Sequence, residues 1–405
     1  MISARLHPFR TSLLLAILSL PLSLACAQPK PAAQGAASAS PSASAPASVR
    51  AESARTVDSE RGPLRVEVIA SGLSHPWGLA FLPDGDLLVS ERNSGKLYRI
   101  AASGGAPQPL AGTPEVVARG QGGLMDVALH PNFESNGLVY LSYAAPGENG
   151  TASTALGRGK LVGDRLEGFQ RIFLQTPAVR GGNHFGNRIV FAPNGSLFLV
   201  LGERFGFQPA QDLSSHLGKI VCLNDDGSPF AENPFRDQPG ALPEIWSYGH
   251  RNIEAAAIHP QTGALWIGEM GPKGGDELNL IEPGQNYGWP LVSWGNNYDG
   301  SPIPDPTTRP DLRDAVKHWT PVISPSGMVF ASGQLFPDWT GNLLIGGLTT
   351  GELVRLTMDG QQVTGEERIT IGERVRDVDE APDGSIYLLT DASNGSVLRL
   401  TPTSR

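Results

Sequence analysis

One short unit recurs through this chain and narrows what it can become. A turn containing Gly leads into a strand of apolar or alternating residues. It occurs at Pro83-Asp84-Gly85-Asp86-Leu87-Leu88-Val89, Ser135-Asn136-Gly137-Leu138-Val139-Tyr140-Leu141 and Pro193-Asn194-Gly195-Ser196-Leu197-Phe198-Leu199. It returns at Thr262-Gly263-Ala264-Leu265-Trp266-Ile267, Trp339-Thr340-Gly341-Asn342-Leu343-Leu344-Ile345 and Pro382-Asp383-Gly384-Ser385-Ile386-Tyr387-Leu388. Asp-Gly and Asn-Gly suit turns with positive φ, which residues bearing a β-carbon resist. Three units continue past a second Gly into another strand, Lys96 to Ile100, Glu352 to Leu356 and Ser396 to Leu400. The turn-strand unit, repeated six times at spacings of 43 to 78 residues and extended in three cases by a second adjacent strand, predicts an all-β fold. A six-bladed β-propeller of four-stranded antiparallel sheets fits the count, because radial repetition leaves only short, protected strand edges. A pair of β-sandwich domains is the alternative. No linker interrupts the chain after residue 55, which favours a single domain over residues 56–405.

Composition supports this reading and removes others. Gly (49) and Pro (34) are spread through the body, against a helical bundle, whose interiors exclude both. A formal charge of -9 argues against a nucleic-acid binder, which should carry a basic surplus or stripe. Two cysteines, Cys26 and Cys222, rule out a disulfide scaffold and a cysteine-ligated metal site. Arg5 and Arg10, the apolar run Leu13 to Leu24, and Ala25-Cys26-Ala27 form the pattern of a secretory signal peptide over residues 1–27. The run is too short for a transmembrane helix, which needs about 20 residues. Cleavage after Ala27, giving a periplasmic or secreted protein, competes with lipidation of Cys26, giving a membrane-surface anchor. Residues 28–55, nearly all Ala, Ser, Pro and Gln, read as a disordered tether. Cys222 reads as a small buried apolar residue.

Four Gly-rich polar clusters interrupt the repeats: Gly120 to Asp126, Arg180 to Arg188, Tyr248 to Asn252 and Gly268 to Glu277. Gly beside a polar group lets the backbone approach a flat ligand or turn a carbonyl toward a cation, although most Gly clusters are tight turns. His75, His130 and His259 each precede Pro and read as structural turn residues, as does His318 beside Trp319. His216 and His250 could serve either way. His184, flanked by Gly and two Asn, could be a general base near pH 7 or a hydrogen-bonded structural residue.

Collinear segments over residues 66–400 resemble the soluble pyrroloquinoline-quinone (PQQ) sugar dehydrogenases, the glucose/sorbosone dehydrogenase family, in its aldose sugar dehydrogenase branch. The matching runs include Gly72 to Gly78, Gly120 to Asp126, His184-Phe185-Gly186-Asn187-Arg188, Gln211 to Ile220 and Tyr248-Gly249-His250-Arg251-Asn252. They continue through Glu269-Met270-Gly271-Pro272, Asp276 to Asn279, Asn286 to Pro290 and Arg374 to Val378. The resemblance implies a six-bladed propeller that oxidises the anomeric carbon of an aldose to a lactone by hydride transfer to PQQ. It makes His184 the general base and Arg251 a catalytic partner. It gives Gln121, Arg251, Asn252, Arg374 and Arg376 to the cofactor, a planar tricarboxylate that suits guanidinium groups. It gives the carbonyls of Gly271 and Pro272 to calcium, and Glu277 and Tyr287 to a second, structural calcium. An unidentified electron acceptor must complete the cycle.

The chain departs from the family's pattern in places. Thr349 stands where glucose-oxidising members carry a Lys facing PQQ, and Asn183 where they carry an Asp before the catalytic His. Ile253-Glu254-Ala255 replaces the usual Pro-Gln-Gly. These changes motivate an alternative, a non-catalytic periplasmic propeller that binds a carbohydrate or protein partner. A calcium-dependent lactonase of similar shape would need a carboxylate cage around a channel metal, which the Gly, His, Asn and Arg of these motifs do not offer. The dehydrogenase reading requires Arg251, Arg374 and Arg376 to converge on one mouth of an otherwise acidic protein.

Overall fold

Each of the six turn units becomes the second strand of a separate antiparallel sheet. These strands are Leu87–Glu91, Leu138–Pro146, Leu197–Leu201, Leu265–Glu269, Leu343–Gly347 and Ile386–Thr390. The glycines that precede them all have positive φ, from 67° at Gly137 to 87° at Gly85 and Gly195. Five of the six strands are buried along their whole length, which is why they read as apolar runs rather than alternations. The computed structural model describes residues 54–403. The signal peptide and nearly all of the tether, with Cys26, lie outside the described residues.

The inner strands are Pro76–Phe81, Leu124–Leu129, Gly186–Phe191, Ile253–Ile258, Pro325–Phe330 and Val375–Glu380, each opening a sheet that runs outward in chain order. They pack side by side in a closed ring, so the fold is a six-bladed β-propeller and the sandwich pair is excluded. The last blade is completed from the other end of the chain. Leu64–Leu73 pairs with Gly395–Pro402, and Arg55–Val57 adds an edge strand beyond it. The ordered sheet therefore begins at Arg55. Sequence reading missed this closure, because pairing across the whole chain leaves no local signal.

The core is divided into six wedges, one between each pair of neighbouring blades. Leu88 and Leu97 of the first blade meet Leu124 and Leu141 of the second, and Leu79 and Val89 close the ring against Tyr387 and Leu389 of the sixth. Cys222 lies in the wedge between the third and fourth blades, where burial pushes its thiol up to about 12, so it packs as an apolar residue. Among the described residues, no helix is long and apolar enough to cross a membrane.

All six inner strands break register after their first residue or two, at Pro76/Leu79, Leu124/Val127, Gly186/Ile189, Ile253/Ala255, Ser326/Met328 and Val375/Asp377. A bulge bends a strand and re-aims its side chains. The interrupted stretches carry Asp126, Arg188, Glu254 and Arg376, and thereby supply the polar groups of the channel. Arg188 reaches from the third blade to Asp126 of the second and Asp377 of the sixth, at 3.1 and 2.9 Å.

Candidate functional site

Three loops that enter inner strands, and the loop between Leu265–Glu269 and Asp276–Ile281, carry the Gly-rich clusters to one mouth of the ring. They enclose a cavity of about 710 Å³. Its walls include Gln121, His184, Arg251, Asn252, Gly271, Pro272, Arg374 and Arg376. Residues more than 250 positions apart in sequence, from Gln121 to Arg376, therefore converge as the resemblance requires. Glu277 and Tyr287 do not line this cavity. The Tyr287 hydroxyl donates to the Leu280 carbonyl and accepts from the Glu282 amide. Glu277 stands opposite Glu269 across the sheet, and burial together with that neighbouring carboxylate pushes it up to about 8.

His184 is held from three directions. Its backbone has φ of 52°, a left-handed conformation costly for a residue with a side chain. Its amide donates to Gln121 Oε1 at 2.5 Å, which gives Gln121 a positioning contact as well as a place on the wall. Gly202 makes the close approach possible, because a β-carbon there would stand 2.1 Å from the His184 carbonyl oxygen. The imidazole Nδ1 lies 2.5 Å from Glu203 Oε1, and Glu203 is fully buried. A carboxylate accepts, so Nδ1 carries the proton and Nε2 keeps its lone pair. Burial lowers the pKa of His184, against the hydrogen bond it donates to Glu203, and the Arg251 charge lowers it further. The ring is thus a neutral base below the usual histidine range. Glu203 also supplies the orienting carboxylate that Asn183 cannot; Asn183 is exposed, and its carbonyl accepts from Arg204 Nε. Sequence reading missed Glu203 because it lies 19 positions from His184, beyond the loop that returns to it.

The positive charge of the mouth comes from Arg92, Arg251, Arg374 and Arg376, set against Glu254, Asp276 and Asp391. Arg251 Nη1 donates to the carbonyls of Met270 and Gly271 at 2.9 and 2.7 Å, and Nη2 to the Tyr298 hydroxyl at 3.0 Å. Its backbone amide is gripped by Glu269, whose other oxygen meets His250 Nδ1 at 3.0 Å. His250 is therefore a support. So is His216, buried between the Thr176 amide and Glu244. Arg376 bonds Glu254 and Asp391, and Arg374 reaches Asp391 at 3.2 Å. Burial would raise Asp391, yet Arg376 and His75 outweigh it and hold the carboxyl well below the usual carboxylate range. Arg92 feels the reverse, since burial and the charges of Arg376 and Arg374 lower its pKa. The Nε atoms of Arg251 and Arg376 are buried without a hydrogen-bond partner.

His75 corrects one expectation. It caps no local turn; its φ is 54°, its Nδ1 lies 2.7 Å from Asp391, and it lines the cavity. His130 and His259 do serve their own turns, accepting from the amides of Asn132 and Gln261. His318 stacks on Trp294 with ring centres 4.1 Å apart. Asn252 accepts from the Gly186 amide and donates to Glu254, joining the third and fourth blades beneath the cavity. Thr349 is exposed and is not itself on the cavity wall, but it bonds Ser324, which is.

A tricarboxylate quinone fits this donor set, because four guanidiniums face a roomy cavity and two of them hold unsatisfied N–H groups. Calcium has less on offer from side chains. Among the described residues, no group of three or more His, Cys, Asp or Glu is placed to hold a metal ion. The Gly271 carbonyl is already shared with Arg251, while burial raises the neighbouring Asp276 to about 6. Carbonyl oxygens remain suitable calcium ligands when a bound anion supplies the charge.

Residues 73–399 match the family described as glucose/sorbosone dehydrogenase. An Escherichia coli (strain K12) protein named aldose sugar dehydrogenase YliI is 43% identical over 345 residues, spanning 84% of this chain and 93% of that one. A crystal structure titled glucose dehydrogenase is 45% identical, with a TM-score of 0.81 over 84% of this chain and 99% of its own. The PQQ-bound form of an aldose sugar dehydrogenase from Streptomyces coelicolor is 31% identical, with a TM-score of 0.70 over 84% of this chain and 98% of its own.

Proposed function

Because the chain belongs to the glucose/sorbosone dehydrogenase family, we propose that it oxidises the anomeric carbon of an aldose to the lactone with PQQ and calcium. The observation that carries this reading is the buried His184–Glu203 pair facing a cavity where Arg251 and Arg376 hold unpartnered N–H groups. PQQ, when bound, supplies the two-electron acceptor for the hydride that leaves the sugar carbon. His184 Nε2 takes the proton of the anomeric hydroxyl, and Glu203 stabilises the imidazolium that forms. Arg251 stabilises negative charge as it develops beside it. Arg374, Arg376 and Arg92 would hold the acidic cofactor, with Gln121 and Asn252 binding it from the same cavity wall. The carbonyls of Gly271 and Pro272 would hold the calcium beside it, and Glu277 with Tyr287 would hold a second, structural calcium. The leader-like N-terminus supports export of the protein from the cytoplasm, with Cys26 either removed or lipidated.

The test uses full-length protein loaded with PQQ and calcium, an artificial electron acceptor and a broad aldose panel. His184→Ala should keep cofactor binding and lose about 10²–10⁴ in turnover. The non-catalytic alternative expects no turnover in wild type and no functional loss in the variant.

A further inference from the structure

Of the places where this chain departs from the family's pattern, only Glu254 stands on the wall of the large cavity. It is the second residue of Ile253–Ile258 and falls inside the register break of that strand. Arg376 holds the matching position in Val375–Glu380, inside the break at Val375/Asp377. The two bulges turn these side chains toward each other across the ring, from the fourth blade to the sixth. Glu254 Oε2 accepts from Arg376 Nη1, and Oε1 accepts from Asn252 Nδ2 at 3.0 Å. The carboxylate is 5% exposed, so little water screens its charge.

This contact changes what Arg376 can offer. Its other terminal nitrogen, Nη2, donates to Asp391 at 2.8 Å, so the protein's own carboxylates take both ends of the guanidinium. A guanidinium so engaged keeps only its buried Nε and cannot grip a ligand carboxylate with two parallel bonds. Glu254 also bears on the charge of the whole wall, where Arg92, Arg251, Arg374 and Arg376 face Glu254, Asp276 and Asp391. Its charge is felt at Arg92 and His184, where it opposes the lowering that burial causes. An acidic ligand entering this cavity therefore meets a fixed negative charge inside its own seat.

We propose that Glu254 sets the affinity of the cofactor site: by occupying Arg376 and adding negative charge to the wall, it makes the site take a tricarboxylate less tightly than a neutral amide at this position would. The proposal rests on the PQQ reading above. It gives Glu254 an electrostatic role in the seat, distinct from the joining of blades that its contacts alone would suggest. Loading of the protein then depends on the supply of free cofactor, because a repelling carboxylate stays in the site after binding.

The test is calorimetric titration of the full-length apoprotein, wild type and Glu254→Gln, with PQQ in calcium and with benzene-1,3,5-tricarboxylate without calcium. Gln is the residue of the family's pattern here, so the variant keeps the fold, and its amide oxygen can still accept from Arg376. The Kd for PQQ should fall roughly tenfold in Glu254→Gln, and the plain tricarboxylate should follow the same direction. Glu254→Asp keeps the charge and should stay within about twofold of wild type. A purely structural role predicts the opposite, with both variants losing affinity or neither changing it. Unchanged or weaker PQQ binding in Glu254→Gln, or a gain equally large in Glu254→Asp, overturns the proposal and leaves the dehydrogenase reading intact. If PQQ binds neither protein while the tricarboxylate binds Glu254→Gln more tightly, the dehydrogenase reading fails and the role of Glu254 stands. Binding of neither ligand to either protein overturns both.

Discussion

Arg188 and Arg251 sit in the same propeller, are equally buried, and do opposite things with their hydrogen-bond capacity. Arg188 bridges inner strands of several blades with every guanidinium nitrogen engaged. Its Nε donates to the Glu254 carbonyl at 2.9 Å, Nη2 to the Arg376 carbonyl at 3.0 Å, and Nη1 to Asp126 and Asp377. The Trp77 ring covers it at 4.2 Å. Arg251, at the mouth, is 3% exposed and leaves Nε without a partner. A buried donor without an acceptor costs free energy that folding does not recover. The saturated arginine joins blades, and the unsaturated one keeps an unused donor beside the cavity. Burial alone does not separate the two; the state of each N–H does.

The largest effect should come from breaking the saturated group. Arg188→Met leaves Asp126 and Asp377 buried together without their counter-charge, and should lower unfolding stability by about 3–5 kcal/mol in denaturant titration. A loss below about 1 kcal/mol, the range of an exposed pair, would show that Arg188 is not what joins the blades. Glu203→Gln acts on the mouth instead. It removes the charge that stabilises the imidazolium, and turnover should fall roughly a hundredfold or more, with PQQ affinity little changed.

The pH profile sharpens the same contrast with a smaller effect. Burial and Arg251 lower the pKa of His184, so the neutral base persists below the ordinary histidine range. The kcat/KM profile should stay flat through neutrality and fall only as pH drops through that lowered value. Arg251→Gln removes one cause of the lowering and should move the acid limb upward. An acid limb at or above the unperturbed value of about 6.5 in wild type would contradict the assignment of His184 as base.

Much of the fold was legible because each blade repeats a local device. A positive-φ Gly turn feeding a fully buried strand can be read from a few adjacent letters, and six of them count the blades. The closure by Leu64–Leu73 was not legible, since its partner is the last strand of the chain. The site divides in the same way. Gly-flanked clusters singled out the segments that hold Gln121, His184, Arg251, Asn252 and Gly271, because close approach needs missing β-carbons, and the resemblance gave those residues their roles. Arg374 and Arg376 were placed by resemblance. Glu203, Arg92, His75 and Asp391 carry no such flank. Their importance comes from bulges and loops that bring distant strands together, as with Asp391 between His75 and Arg376. Asn183 shows the same limit, since a carboxylate missing from one segment says nothing about one supplied from another, here Glu203.

The central claim is that the unsaturated arginines form a seat for an acidic quinone, and equilibrium titration of the apoprotein with PQQ in calcium tests it most directly. The account predicts saturable one-to-one binding, weakened by roughly 10–100-fold in Arg251→Gln, the range for a hydrogen bond to a charged group. An absence of PQQ binding by folded wild-type protein, or equal affinity in Arg251→Gln, would contradict it.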